Sequence, residues 1–233
     1  MTFPFYVPPE QIMKDRADYA RKGIARGRSV VVIAYDDGIA FATENRSRAL
    51  HKIGEIYDRI AFAAVGKYNE FEALRVAGVR YADLRGYMYH RADVTSRGLA
   101  NWYAQTVGSV FTTEAKPLEV EVVVAEVAAR ADDDELYRLG YDGAVAEERG
   151  AVVIGGDAER LQESVAKAWE PGIDLPEALR LAVSVLGSGQ DEPNDGSLRG
   201  AALEVAVLDR TRPRRAFRRL SDSTLDELLA SGD

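Results

Sequence analysis

Few side chains in this sequence stand where they could do chemistry. The two histidines, His51 and His90, each lack a second ligand at metal-binding spacing, and with no cysteine present there are neither thiolate sites nor disulfides. Ser188 is flanked by Gly187 and Gly189, but polar loop residues follow, and a nucleophile elbow needs a strand-to-helix turn. Gly155-Gly156-Asp157 has the outline of a phosphate-cradling turn between a strand and a helix; without a lysine-serine pair after it, it reads as a chain reversal. The carboxylates Asp132-Asp133-Asp134 and Glu147-Glu148 fall in polar connections and read as solvated loop charge. The basic run Arg212-Pro213-Arg214-Arg215-Ala216-Phe217-Arg218-Arg219 reads as a solvated edge strand, whose positive charge blocks addition of a further strand. No metal, cofactor or hydrolytic centre is expected from these residues.

Composition narrows the classes further. A chain of 233 residues, 46% apolar and 29% charged, has material for one sizeable core, so a single domain over 1–233 is expected. No apolar run approaches the ~18 residues of a membrane span, and the N-terminus lacks the basic and apolar regions of a signal peptide. A soluble cytoplasmic protein with no membrane partner is expected. The formal net charge of −8 argues against nucleic acid as a partner.

The elements follow from periodicity. Proline at Pro8-Pro9 and an acid at Glu10 start a helix whose narrow apolar face runs through Ile12, Met13, Ala17, Ala20 and Ile24. Ahead of it, Phe3-Pro4-Phe5-Tyr6-Val7-Pro8 forms an aromatic, proline-broken arm too short to bury itself. Ser29–Tyr35 and Ile39–Thr43 read as a hairpin turning at Asp36-Asp37-Gly38, with Asp-Gly supplying a positive φ. Lys52–Tyr57 and Ile60–Val65 read as a second strand pair. Helices follow, one with Phe71, Leu74, Ala77, Tyr81, Leu84 and Met88 on one face, the next starting near Thr95. The second half repeats this order, with strands near Val120–Val127, Leu136–Tyr141 and Ala151–Ile154, then helices Ala158–Trp169 and Pro176–Leu186. Residues 187–200 read as a flexible glycine-rich loop before strand Leu203–Leu208, a short strand Ala216–Leu220 and a last helix capped at Ser223. Strand runs segregated from helix pairs predict an α+β, four-layer αββα sandwich.

Several stretches carry a family resemblance. Asp18-Tyr19-Ala20-Arg21-Lys22-Gly23-Ile24-Ala25-Arg26-Gly27 resembles the end of the first helix of proteasome α subunits. Arg48-Ala49-Leu50-His51-Lys52-Ile53 and Ala63-Ala64-Val65-Gly66 resemble that family's lysine-bearing strand and the glycine turn into its first long helix. The N-terminal wording and the run Arg212–Arg219 are similar to actinobacterial members in particular. The resemblance implies the N-terminal-nucleophile hydrolase fold and a homoheptameric α ring stacked on a β ring that carries the active sites. The α N-termini, here 1–27, would converge on the pore as a gate. Implied partners are β subunits and a ring-shaped ATPase or ATP-independent activator, whose C-terminal tails insert between α subunits. Implied substrates are tagged proteins.

Catalytic members of that fold begin their first strand with a threonine whose own amine assists as base. Arg28-Ser29 occupies that place, and Thr2 lies too far ahead of the strand to be fixed there. A non-catalytic subunit is therefore expected, against two alternatives: a β-type hydrolase or a stand-alone peptide-tail binding module. Lys52 matches the lysine that receives the carboxylate of an activator tail, a task suited to a compact ammonium. Gly27 and Gly66 match pocket-lining positions, where a peptide could approach the backbone. Tyr19 matches a tyrosine that helps hold the open gate, but the Tyr-Asp-Arg stretch that precedes it in archaeal and eukaryotic relatives is absent and Phe3-Pro4-Phe5-Tyr6 stands there instead, so the gate arm Phe3–Pro8 is expected to close the pore differently, by apolar packing.

Overall fold

In the computed structural model, residues 8–47, 49–188 and 202–230 are described; the arm residues Phe3, Pro4, Phe5, Tyr6 and Val7 lie outside them. Two five-stranded antiparallel sheets form the centre. The first orders β10 (Phe217–Arg219), β9 (Leu203–Asp209), β2 (Gly38–Glu44), β1 (Val30–Tyr35) and β8 (Ala151–Ile154). The second orders β3 (Ile53–Tyr57), β4 (Ile60–Gly66), β5 (Val120–Glu126), β6 (Glu135–Leu139) and β7 (Val145–Glu148).

Three apolar clusters show the layering. Val30, Val32, Ile39 and Phe41 of the first sheet meet Ile53, Ala61, Ala63, Val65, Val123 and Ala125 of the second. The intervening residues Val31, Ile33, Ala40 and Ala42 point the other way, onto Leu161 and Val165 of α4 (Ala158–Ala168) and Leu179 and Ala182 of α5 (Leu175–Ser188). On the far side, Phe62, Ala64, Val122 and Val124 pack against Phe71 and Leu74 of α2 (Tyr68–Met88) and Leu99, Tyr103 and Val107 of α3 (Ser96–Thr113). Because side chains alternate across a strand and both faces are covered, the central strands read as unbroken apolar runs such as Val30-Val31-Val32-Ile33. The result is the expected αββα sandwich. Among the described residues no helix is long and apolar enough to cross a membrane.

The structure corrects several local expectations. The β1–β2 turn consists of Asp36 and Asp37 only; Gly38 carries the expected positive φ, 154°, but already as the first residue of β2, where a Cβ would lie 1.9 Å from the Leu208 carbonyl oxygen. Glu147 and Glu148 are not loop charges but half of β7, an edge strand whose exposed side chains give it no apolar signal. Helix α5 runs to Ser188, so the predicted loop cannot start at Gly187; residues 189–200 lie outside the described residues. Helix α6 (Asp222–Ala230) starts two residues earlier than a cap at Ser223 implies and is capped by Ser221, whose Oγ accepts from Thr224 N at 3.3 Å.

Two charge assignments also change. Asp134 is a buried partner of Arg210, bonded through both carboxylate oxygens at 2.8 and 2.7 Å, and it accepts from Ala128 N as well. The basic run is only partly solvated: Arg219 donates to Glu204 at 2.6 Å and to the Ile53 carbonyl at 2.8 Å, while Arg215 pairs with Glu55. Those arginines tie the edge of one sheet to the edge of the other. At the opposite edge of the first sheet, Gln162 of α4 serves β8 with both ends of its amide. Its Oε1 accepts from Val153 N at 2.7 Å, and its Nε2 donates to the Ala151 carbonyl at 3.1 Å.

Candidate functional site

Helix α1 (Pro9–Ala25) leads straight into the place of interest. Pro8 is its N-cap residue, and the Pro8 carbonyl accepts from Gln11 N at 3.0 Å and Ile12 N at 3.2 Å. After Ala25 the chain turns at Gly27, whose N–H donates to Ile24 O at 2.9 Å, and passes through Arg28 and Ser29 into β1. A peptide bond therefore precedes Arg28 where a nucleophile's free amine would be needed. The Ser29 hydroxyl is buried and donates to the Gly155 carbonyl at 2.9 Å.

Lys52 comes to the same spot from the second sheet. It lies one residue before β3, and its ammonium donates to the Arg28 carbonyl at 2.7 Å. Its own carbonyl accepts from Ala64 N at 3.0 Å, and its N–H donates to Glu204 Oε2 at 3.0 Å. Burial is the main force on this ammonium and drives its pKa down to about 8; Glu204 and Glu44 oppose that shift, and Arg28 adds to it. Arg28 in turn bonds Glu44, a buried carboxylate that also has Arg46 at 3.3 Å.

The two glycines complete the cluster, and the fold itself accounts for both. A Cβ on Gly27 would lie 2.4 Å from Val65 Cγ1 and 3.4 Å from Gly66 N. Gly66 ends β4 with φ 122°, and a Cβ there would meet the Glu119 carbonyl oxygen at 1.9 Å. Lys52, Gly27 and Gly66 are thus brought to one end of the sandwich. A cavity of about 720 Å3 opens beside them, lined by Gly27, Arg28, Ser29, Glu44, Gly156 and Arg160 among others. Lys52 and Gly66 are not among its lining residues.

Tyr19 is half exposed on α1, with the Lys116 ammonium 5.5 Å from its ring centre. Glu119 faces it. The hydrogen bond and charge of Lys116, with a lesser contribution from the Tyr19 hydroxyl, hold the Glu119 carboxyl below the usual range against the upward push of burial. Glu119 also carries the carbonyl that crowds Gly66 and accepts from Lys67 N at 2.9 Å, so Tyr19 and Gly66 share one neighbour.

The remaining candidates resolve as structural. His90 Nδ1 accepts from Ala92 N at 3.1 Å and caps a short 3-10 turn. The Gly155 N–H is engaged by Glu121 Oε2 at 2.9 Å, and a Cβ on Gly156 would lie 2.5 Å from Ser29 Oγ, so this turn packs on the start of β1. Ser188 Oγ donates to the Val185 carbonyl at 2.8 Å inside α5. Among the described residues no group of three or more His, Asp or Glu side chains could hold a metal ion. Sequence reasoning missed Glu44, Glu119 and Glu204. Only Glu204 carried a signal: a lone acid inside the apolar run Leu203–Leu208 must be buried, and a buried carboxylate needs partners.

Comparison with known proteins agrees with this geometry. The family described as "Proteasome subunit" matches residues 24–208. A "Proteasome subunit alpha" of Sanguibacter keddieii is 71% identical over 99% of this chain and 91% of its own length. Those of Kineococcus radiotolerans, at 64% over 99% of both chains, and Thermomonospora curvata, at 60% over all of both, are similar along their whole length. With a covalently continued chain in place of a free threonine amine, and with relatives of this closeness, the chain belongs to the proteasome subunit family, as a non-catalytic α-type subunit that assembles with other proteasome subunits.

Proposed function

We propose that this chain, as a single domain, forms the outer heptameric rings of a cytoplasmic 20S core, gates entry to the β chamber and docks an activator ring by its C-terminal tails. The observation that carries the docking half is the position of Lys52. Its ammonium is held at the Arg28 carbonyl and lies among Arg28, Glu44 and Glu204. A tail carboxylate offers that ammonium a stronger partner than a neutral carbonyl, since charge-assisted hydrogen bonds are roughly twice as strong as neutral ones. Gly27 lines the adjoining cavity and gives a tail backbone access there. Tagged proteins are the substrates in this reading, and either an ATPase ring or an ATP-independent ring supplies the tails.

The gating half rests on composition. Phe3-Pro4-Phe5-Tyr6-Val7-Pro8, repeated around a symmetry axis, supplies apolar side chains to close a pore by mutual packing. Co-expression with the β chain and assay of small-peptide hydrolysis tests both halves. Deleting residues 2–8 raises the basal rate, and tail peptides raise the rate of the intact particle but not that of Lys52→Ala. An unchanged basal rate after the deletion removes the gate from this reading, and equal stimulation of the Lys52 variant removes the docking site.

A further inference from the structure

Resting on Lys52 as the receptor of a tail carboxylate, we propose that Glu204 is the positioning residue that fixes where Lys52 presents its ammonium. Glu204 belongs to β9 in the first sheet, opposite Thr43, whereas Lys52 stands at the head of β3 in the second. Its carboxylate, 5% exposed, reaches the other sheet and takes hold of the backbone on both sides of the Lys52 Cα. Oε2 accepts from Lys52 N at 3.0 Å and Oε1 from Ile53 N at 3.2 Å. The other positions are filled by Asn45 Nδ2 at 2.7 Å on Oε2 and Arg219 Nη1 at 2.6 Å on Oε1, with His51 Nδ1 3.3 Å away. Two carboxylate oxygens offer about four acceptor sites, so this group is saturated and its orientation is fixed.

The consequence for Lys52 is geometric first. A lysine stem has four rotatable bonds, and its ammonium is placed only if the Cα is placed. Glu204 places the Cα, and the Arg28 carbonyl receives the far end. The second consequence is electrostatic. The charged groups acting on the ammonium are Glu204 from β9, Arg28 ahead of β1, and Glu44 at the end of β2, which is itself engaged by Arg28 and Arg46, while Arg219 from β10 and His51 face the Glu204 carboxylate. Glu204 is the strongest of the influences that keep the ammonium protonated against burial. Arg219 donates to Oε1 of the same carboxylate and so offsets part of its charge.

The test uses the assembled α and β particle and a fluorescent peptide copied from an activator C-terminus, made once with a free carboxylate and once as the amide. Binding is titrated from pH 6 to 9. Intact protein prefers the carboxylate peptide and loses that preference as pH rises. In Glu204→Gln the midpoint of that loss moves down by about one unit, weakening carboxylate binding only about twofold at pH 7 but about tenfold at pH 9, while the amide peptide binds as before. In Arg219→Met, which leaves Glu204 charged, the midpoint moves up; this variant decides the matter if Glu204→Gln does not assemble. Equal weakening of both peptides in Glu204→Gln makes Glu204 merely structural, and unmoved midpoints in the variants exclude it altogether; either result overturns the proposal. Intact protein that does not distinguish carboxylate from amide overturns the reading of Lys52 itself, a separate result.

Discussion

Lys52 and Arg28 are joined by a bond from an ammonium to a main-chain carbonyl, 2.7 Å long, which ties the head of β3 to the residue that leads into β1. The charge on that ammonium is sensitive to pH in a useful range. Its folded pKa of about 8 lies below the ordinary 10.5, so between those values the folded state binds fewer protons than the unfolded. Stability therefore rises with pH across that window, and the unfavourable burial of charge is fully present below about pH 8. Tail binding runs the other way, because a carboxylate needs the charged form. Lys52→Met should cost about ten- to a hundredfold in carboxylate-peptide affinity at pH 7 without lowering the melting temperature, as measured by fluorescence titration and calorimetry.

Gly66→Ala should be among the most damaging single changes in the chain. It places a Cβ 1.9 Å from a backbone oxygen at a φ of 122°, and neither the strand pair nor the turn into α2 has room to yield. A loss of about 3 kcal/mol or more in urea unfolding is expected. Gly27→Ala meets a valine side chain instead, and combining it with Val65→Ala should recover most of its smaller loss.

The buried pair Arg210–Asp134 closes the loop after β5 onto the end of β9, with side chains 11% and 5% exposed. Asp134→Asn leaves a buried guanidinium without its counter-charge and should cost about 3–5 kcal/mol. Pairing it with Arg210→Met should return part of that loss. If the double variant is no better than the single, the charge is not what matters there.

Helix α1 offers a test in which ordinary propensity points the wrong way. Gly23→Ala normally helps a helix by up to about 1 kcal/mol, but here a Cβ would lie 2.1 Å from Glu119 Oε2. The substitution should dislodge Glu119 and speed amide exchange across Tyr19–Ile24. In a Glu119→Ala background the same change should stabilise. Since the Glu119 carboxyl is held below its usual range, the contact is present above that range and lost as pH falls through the depressed value. Protection of the α1 amides, relative to their intrinsic exchange rates, should therefore fall at acid pH, and Tyr19→Phe should lower it at neutral pH too.

Sequence periodicity was enough for the layers because the central strands are buried on both faces and the helices on one. Val30–Ile33 and Val122–Val124 could hardly be anything but inner strands. What escaped was held by groups with no pattern in sequence. Strand β7 has exposed side chains and is defined by its ladder with β6 alone. Asp134 looked like its neighbours Asp132 and Asp133 until Arg210, far along the chain, reached it. At the site, Lys52 was found by resemblance, while Glu44 meets Arg28 across 16 residues and Glu204 meets Lys52 across 152. A lone acid in an apolar strand was the one written sign.

The amide of Gln162 has a consequence beyond the edge it covers. A bare outer strand is a template that copies itself, and a protein that must sit shoulder to shoulder with other subunits would meet that template at high local concentration. By answering the Val153 N–H and the Ala151 carbonyl from within, Gln162 leaves β8 nothing to offer an incoming strand at those two positions. Strand-to-strand addition at this edge, the route to an open fibre, is thereby disfavoured.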